Sequence, residues 1–175
     1  MVDGDASVGE RSLLLETLAD AGWTISSDTA NGRLLPDLDP DERAAQLTDA
    51  REWLETEGYA DGARFISYPA GQSDAASLDL VDETYDLGFA ASQPAQGRVV
   101  DAARYPRAVD PEAPEALLER TADLDGITTL CYHGLDGDAV DRFEETETCL
   151  DALVTEGDLE VVEPETLASE YAETE

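Results

Sequence analysis

The chain has 175 residues, with 42 Asp plus Glu against 10 Lys plus Arg, and bears a formal net charge of −32. All ten basic residues are Arg and 25 residues are Ala, so the 42% apolar share leans toward small side chains. Such a surface repels phosphate backbones and anionic headgroups, which excludes nucleic acid and membranes as partners; Trp23, Trp53, Phe65, Ile66 and Ile127 still supply bulk enough to exclude pure disorder.

In chain order, residues 12–21 carry Leu14, Leu15 and Leu18 at helical spacing and predict a helix that stops at Gly22. Residues 23–26 predict a strand. Asp39-Pro40 offers a cap and a first-turn proline, with Asp41 and Glu42 favouring the helix dipole, so a helix is expected from there to Gly58. A strand over 64–68, a helix capped by Asp74 and a strand over 89–91 follow. Residues 92–114 are rich in Pro, Ala and Gly and predict a long loop, with one short extended piece at 105–109. The remainder predicts a helix over 115–124, a buried strand over 127–132, a helix over 138–154, a strand over 159–162 and a closing helix over 164–171.

Alternation of this kind predicts an α/β fold with a mostly parallel sheet, read as a single domain spanning 1–175. The charge, spread among apolar residues rather than gathered in a tail, is expected to belong to a halophile, because at molar salt the screening length falls to about 3 Å. No leader or apolar span is visible, so the cytoplasm is the expected location. Cys131 and Cys149 are expected to be ordinary core thiols rather than a disulfide framework.

In a parallel α/β sheet, chemistry collects where strands end. After the first predicted strand comes Ser27-Asp28-Thr29-Ala30-Asn31-Gly32, in which Asp28 could ligate a cation, or Asp28 and Asn31 could serve turn geometry while Gly32 takes a positive φ. After the second comes Tyr68-Pro69-Ala70-Gly71-Gln72-Ser73-Asp74, either a pocket wall or an ordinary turn with Asp74 as helix cap. His133, the only histidine, directly follows Leu130-Cys131-Tyr132, a position suited to a general acid or base and equally to a structural role. One histidine cannot make a multi-histidine zinc site.

Together these loops resemble the polysaccharide deacetylase family, the carbohydrate esterases that include chitin, peptidoglycan and chitooligosaccharide deacetylases. The segment from Leu18 through Trp23 to Ser27 is similar to the approach to that family's paired-histidine metal motif, and Phe65-Ile66-Ser67-Tyr68-Pro69-Ala70-Gly71 with Asp74 is similar to its groove-lining loop. Leu130-Cys131-Tyr132-His133 resembles the late motif that carries its catalytic acid. The resemblance implies a deformed βα barrel, a divalent metal such as zinc, hydrolysis of N- or O-acetyl groups on carbohydrates, substrate contacts from Tyr68, Pro69, Gly71 and Asp74, and an acid role for His133. Where the family places its two histidines, this chain has Asp28 and Gly32, and the Thr-Phe-Asp-Asp-Gly motif that brings the metal aspartate and the base has no counterpart. The expected molecule is therefore a partial barrel lacking its first strands, catalytically silent, with no confident cofactor. Its expected partners are carbohydrate, a second copy, or another chain at an open sheet edge. The alternatives are an active deacetylase with a rearranged or partner-completed site, and a fragment of a longer reading frame.

Overall fold

A computed structural model describes residues 8–91, 95–96, 99, 101–134 and 136–172. The chain divides into two compact units, Met1–Gly88 and Phe89–Glu175.

In the first unit, α1 (Val8–Asp20) ends where Gly22 adopts φ +90° and the Trp23 amide donates back to the Leu18 carbonyl (3.0 Å), the left-handed stop expected of glycine. No strand forms over 23–26; only Ser27 makes a parallel bridge, to Ile66. Trp23 points to solvent at 64% exposure, so the segment has no second apolar face to bury. Asp39 caps α2 (Pro40–Thr56) by accepting the Glu42 amide (2.9 Å). The helix buries Leu47, Ala50 and Leu54 in a core that also holds Leu35, Leu38, Phe65, Ile66, Tyr68 and Val81. Then come β1 (Phe65–Ser67) and α3 (Ala75–Thr84). Beyond the end of α3, the Tyr85 hydroxyl donates to the Leu47 carbonyl of α2 (2.8 Å). Gly62, just before β1, packs so closely on residue 25 that a Cβ there would sit 1.8 Å from the Ile25 carbonyl oxygen.

The strand β2 (Leu87–Ala91) runs across the division into the second unit. Its Phe89–Ala91 stretch pairs in parallel with Tyr105–Arg107 of β4 (Tyr105–Val109), and β4 pairs in parallel with β6 (Leu130–Cys131). The predicted long loop over 92–114 thus contains β3 (Ala95–Gln96) and the middle strand of a parallel trio. Tyr105, Pro106 and Arg107 are all buried, so β4 carries no polar alternation for a pattern search to find. The strand predicted over 127–132 splits. Gly126–Ile127, β5, pairs antiparallel with β3, while Leu130–Cys131 joins β4, and both pieces are half-buried. Helix α4 (Pro114–Asp123) packs on α5 (Asp138–Glu156), which stops at Gly157 in the left-handed region (φ +85°). Residues 159–162 form no strand; Val161 is 70% exposed and only Leu159 and Val162 turn partly inward. The last helix begins as α6 (Pro164–Thr166) and widens into a π-type turn over Leu167–Tyr171.

The architecture is α/β with mostly parallel strands. Among the described residues, no helix is long and apolar enough to cross a membrane.

Candidate functional site

Of the residues singled out in the sequence, Asp28, Gly32, Tyr68, Pro69, Gly71 and Asp74 belong to the first unit and His133 to the second. In the first unit the Ser27 amide donates to the Phe65 carbonyl (3.2 Å) and the Ser67 amide to the Ser27 carbonyl (2.8 Å). Residue 27 and β1 run parallel, so the chain segments that carry Asp28 and Tyr68 leave the pairing at the same, carboxyl end.

The first of these segments is a self-bonded turn. Thr29 sits at φ 61° and its amide donates to the Ser27 hydroxyl (3.1 Å). Its own hydroxyl accepts the Gly32 amide (3.1 Å), while the Asn31 amide donates to the Gln46 side chain of α2 (3.1 Å). Asp28 is exposed, and Gly32 adopts φ +72° with open space around it. A histidine at Gly32 would therefore fit sterically but cost about 1–2 kcal/mol in backbone strain.

In the second segment Tyr68 is fully buried and Pro69 is buried, so both shape the loop from beneath. The surface above them is Ala70 and Gly71, in consecutive positive-φ conformations of 49° and 65°. Asp74 is fully engaged. One carboxylate oxygen accepts the Ser77 amide (2.8 Å) and the Ser77 hydroxyl, which caps α3; the other faces the Arg43 guanidinium (3.3 Å). Arg43 is buried and also donates to the carbonyls of Leu35 (2.9 Å) and Leu38 (3.3 Å). The Ser77 hydroxyl above all, with its amide and Arg43, holds the Asp74 carboxyl below the usual aspartate value against the opposing effect of burial.

The second unit places a dyad at the ends of its parallel strands. Asp110, immediately after β4, takes φ 42° and donates its amide to the Cys131 carbonyl of β6 (2.8 Å). Its carboxylate turns onto His133: Oδ1 accepts the His133 amide (3.0 Å) and Oδ2 lies 2.6 Å from Nδ1. The His133 ring above all holds the Asp110 carboxyl low, so an ionised oxygen faces the ring and Nδ1 is the nitrogen that carries the proton. This fixes the imidazole and leaves Nε2 directed away from the pair, on a side chain 53% exposed. Such a ring can give or take a proton at Nε2 with a carboxylate balancing the charge. Beneath it, Tyr132 packs edge-to-face on Phe143 of α5 (5.4 Å), and its hydroxyl meets Thr146.

Asp110 carries a signal present in the sequence, since it directly follows the extended piece at 105–109 and so stands at a strand's carboxyl end. As for a metal, the single histidine is committed through Nδ1 to Asp110, Gly32 offers no donor, and Asp74 is occupied by Ser77 and Arg43. Among the described residues no group of three or more His, Cys, Asp or Glu is placed to hold a metal ion, so this donor set does not fit a zinc centre. Compared with protein-family models, with curated proteins and with solved structures, the chain matches none.

Proposed function

We propose that this chain is a polysaccharide deacetylase-like domain, a partial βα barrel of degenerate type that binds carbohydrate and is catalytically silent as a single chain. The observation that carries the reading is the Asp110–His133 dyad at the carboxyl ends of adjacent parallel strands, where the resemblance puts a catalytic acid. The silence follows from the donor set: Asp28 and Gly32 stand where two imidazoles would be needed. The acidic surface favours a neutral ligand over a polyanion, because any approaching phosphate or sulfate polymer meets a net charge of −32.

The test is a cobalt titration of the unmodified chain in molar potassium chloride, read by the visible bands that report ligand number and type, beside an assay of acetate release from acetylated chitooligosaccharides. No saturable cobalt band and no acetate, with measurable oligosaccharide binding, is the expected result. A one-to-one cobalt complex with acetate release would replace the silent domain by an active enzyme with a rearranged site. The half-exposed ring of His133 favours that second reading, since Nε2, the edge not held by Asp110, is the one through which it would exchange a proton with substrate.

A further inference from the structure

Helix α2 sorts the residues of its last turns into two stripes. Leu47, Ala50 and Leu54 are buried in the core, while Asp49, Trp53 and Glu57, four residues apart, lie exposed along a neighbouring stripe. Beyond Glu57, Gly58 turns the chain at φ +94° and sends Tyr59 back onto the helix. The Tyr59 amide donates to the Leu54 carbonyl (2.8 Å), and its own carbonyl accepts the Gly62 and Ala63 amides (3.1 Å each). From this fixed base the Tyr59 ring meets Trp53, with centroids 6.2 Å apart and planes tilted by 36°.

A contact of this sort commonly closes a helix end by burying apolar surface. Here Trp53 stays 47% exposed and Tyr59 only half-buried. The charge around the pair is one-sided. Residues 49–61 hold Asp49, Glu52, Glu55, Glu57 and Asp61 against the single Arg51, and that arginine is taken up by Glu55 (3.0 Å) and the Thr84 carbonyl. Asp49 and Glu57, one turn to either side of Trp53, make no ion pair among the described residues. Trp23 is the contrast: it is 64% exposed, but residues 21–27 around it carry no charge.

We propose that the exposed Trp53–Tyr59 pair is a binding site for a small organic cation of the trimethylammonium type, held over the rings and balanced by Asp49 and Glu57. The faces of aromatic rings are negative, and tryptophan attracts a cation most strongly. A trimethylammonium group spreads its charge over methyl groups and makes no conventional hydrogen bond, so rings with carboxylates at their margin can recognise it without an enclosed set of donors and acceptors. The two rings touch, so the ligand lies across them rather than between them. Charge complementarity decides the occupant: a neutral apolar group would meet the same rings but gain nothing from the carboxylates, and an anion is repelled. The site lies wholly in the first unit and does not involve His133, so it stands apart from the function proposed above.

Trp23 and Trp53 are the only tryptophans, so the chain gives two indole N–H signals in NMR, assigned with Trp23→Leu and Trp53→Leu. The experiment is a titration of the intact chain with choline chloride, in parallel with its uncharged isostere 3,3-dimethylbutanol and with sodium chloride, all at one ionic strength. Choline is expected to shift the Trp53 signal saturably at roughly millimolar concentration and to leave the Trp23 signal in place. Its affinity should fall about threefold or more in the double variant Asp49→Asn with Glu57→Gln, and likewise in Tyr59→Leu, which keeps an apolar contact with Trp53. An equal response to dimethylbutanol or to sodium chloride would overturn the site, as would equal shifts at both tryptophans or unchanged choline affinity in both variants. Far-ultraviolet circular dichroism checks that each variant is folded. Should Tyr59→Leu not fold, the nearly isosteric carboxylate variant decides alone: weakened choline binding supports the site and full retention overturns it.

Discussion

The two units use the same topological position in opposite ways. At the strand ends of the first, polar side chains are consumed by local structure: Thr29 and Gln46 fasten the turn around Gly32, and Asp74 is shared between a helix cap and a buried arginine. At the strand ends of the second, Asp110 spends both oxygens on one histidine, Oδ1 on the His133 amide and Oδ2 on its ring Nδ1, and the other edge of the ring stays free of it. A carboxylate at a strand end thus says little until its lone pairs are accounted for. Asp74 balances a charge within the fold, whereas Asp110 orients a group that faces outward.

That contrast can be broken at several points. The largest effect is expected from Gly62→Ala, whose methyl would drive into the Ile25 backbone and part residue 27 from β1; a loss of about 3 kcal/mol or more in chemical denaturation is expected, with the first unit most affected. Arg43→Met should cost about 2–3 kcal/mol, because two carbonyls and the Asp74 carboxylate lose their donor together. Asp110→Asn should cost less stability than Arg43→Met yet change the His133 side-chain signals more than any substitution in the first unit. A result with the two reversed would make Asp110 the structural residue of the pair.

Acid titration sharpens the same comparison. Both Asp74 and Asp110 are held below the ordinary value of 3.8, so each contributes stability that is complete above that value and is lost as pH falls through its lower folded-state value. Asp74→Asn and Asp110→Asn should each flatten the fall in stability below about pH 4, measured by denaturation at fixed salt. Parallel curves for wild type and both variants would refute the linkage. The smallest effect is expected from Ala70→Gly, which relieves a left-handed alanine and should stabilise by about 0.5–1 kcal/mol. Thr29→Gly should show no such gain, since its hydroxyl holds the Gly32 amide.

Much of this was legible in the sequence wherever a local signal had a single physical meaning. Asp39-Pro40 and Asp74 marked helix starts correctly, Gly22 ended a helix in the left-handed region, and the helix over residues 40–58 needed only its last two residues trimmed. The errors came where partners decide. Residues 23–26 and 159–162 have strand composition but no neighbour to pair with, while the Pro-containing Tyr105–Val109, relegated to a loop, is central because strands lie on both sides of it. At the site, His133 stood out by being unique, but Asp110 could not: nothing local says that one carboxylate among 42 acids turns onto the imidazole.

The division of residues 126–131 between β5 and β6 has a mechanical consequence. Six residues splice an antiparallel ribbon to a parallel sheet, and the Thr129 carbonyl at the splice accepts the Ala108 amide (2.8 Å). Neither sheet can open at this segment without loading the other. Amides on both sides, Gln96 in the ribbon and Ala108 in the sheet, should then exchange with solvent hydrogen through one shared opening event, which makes this short segment the point at which the second unit yields as a whole.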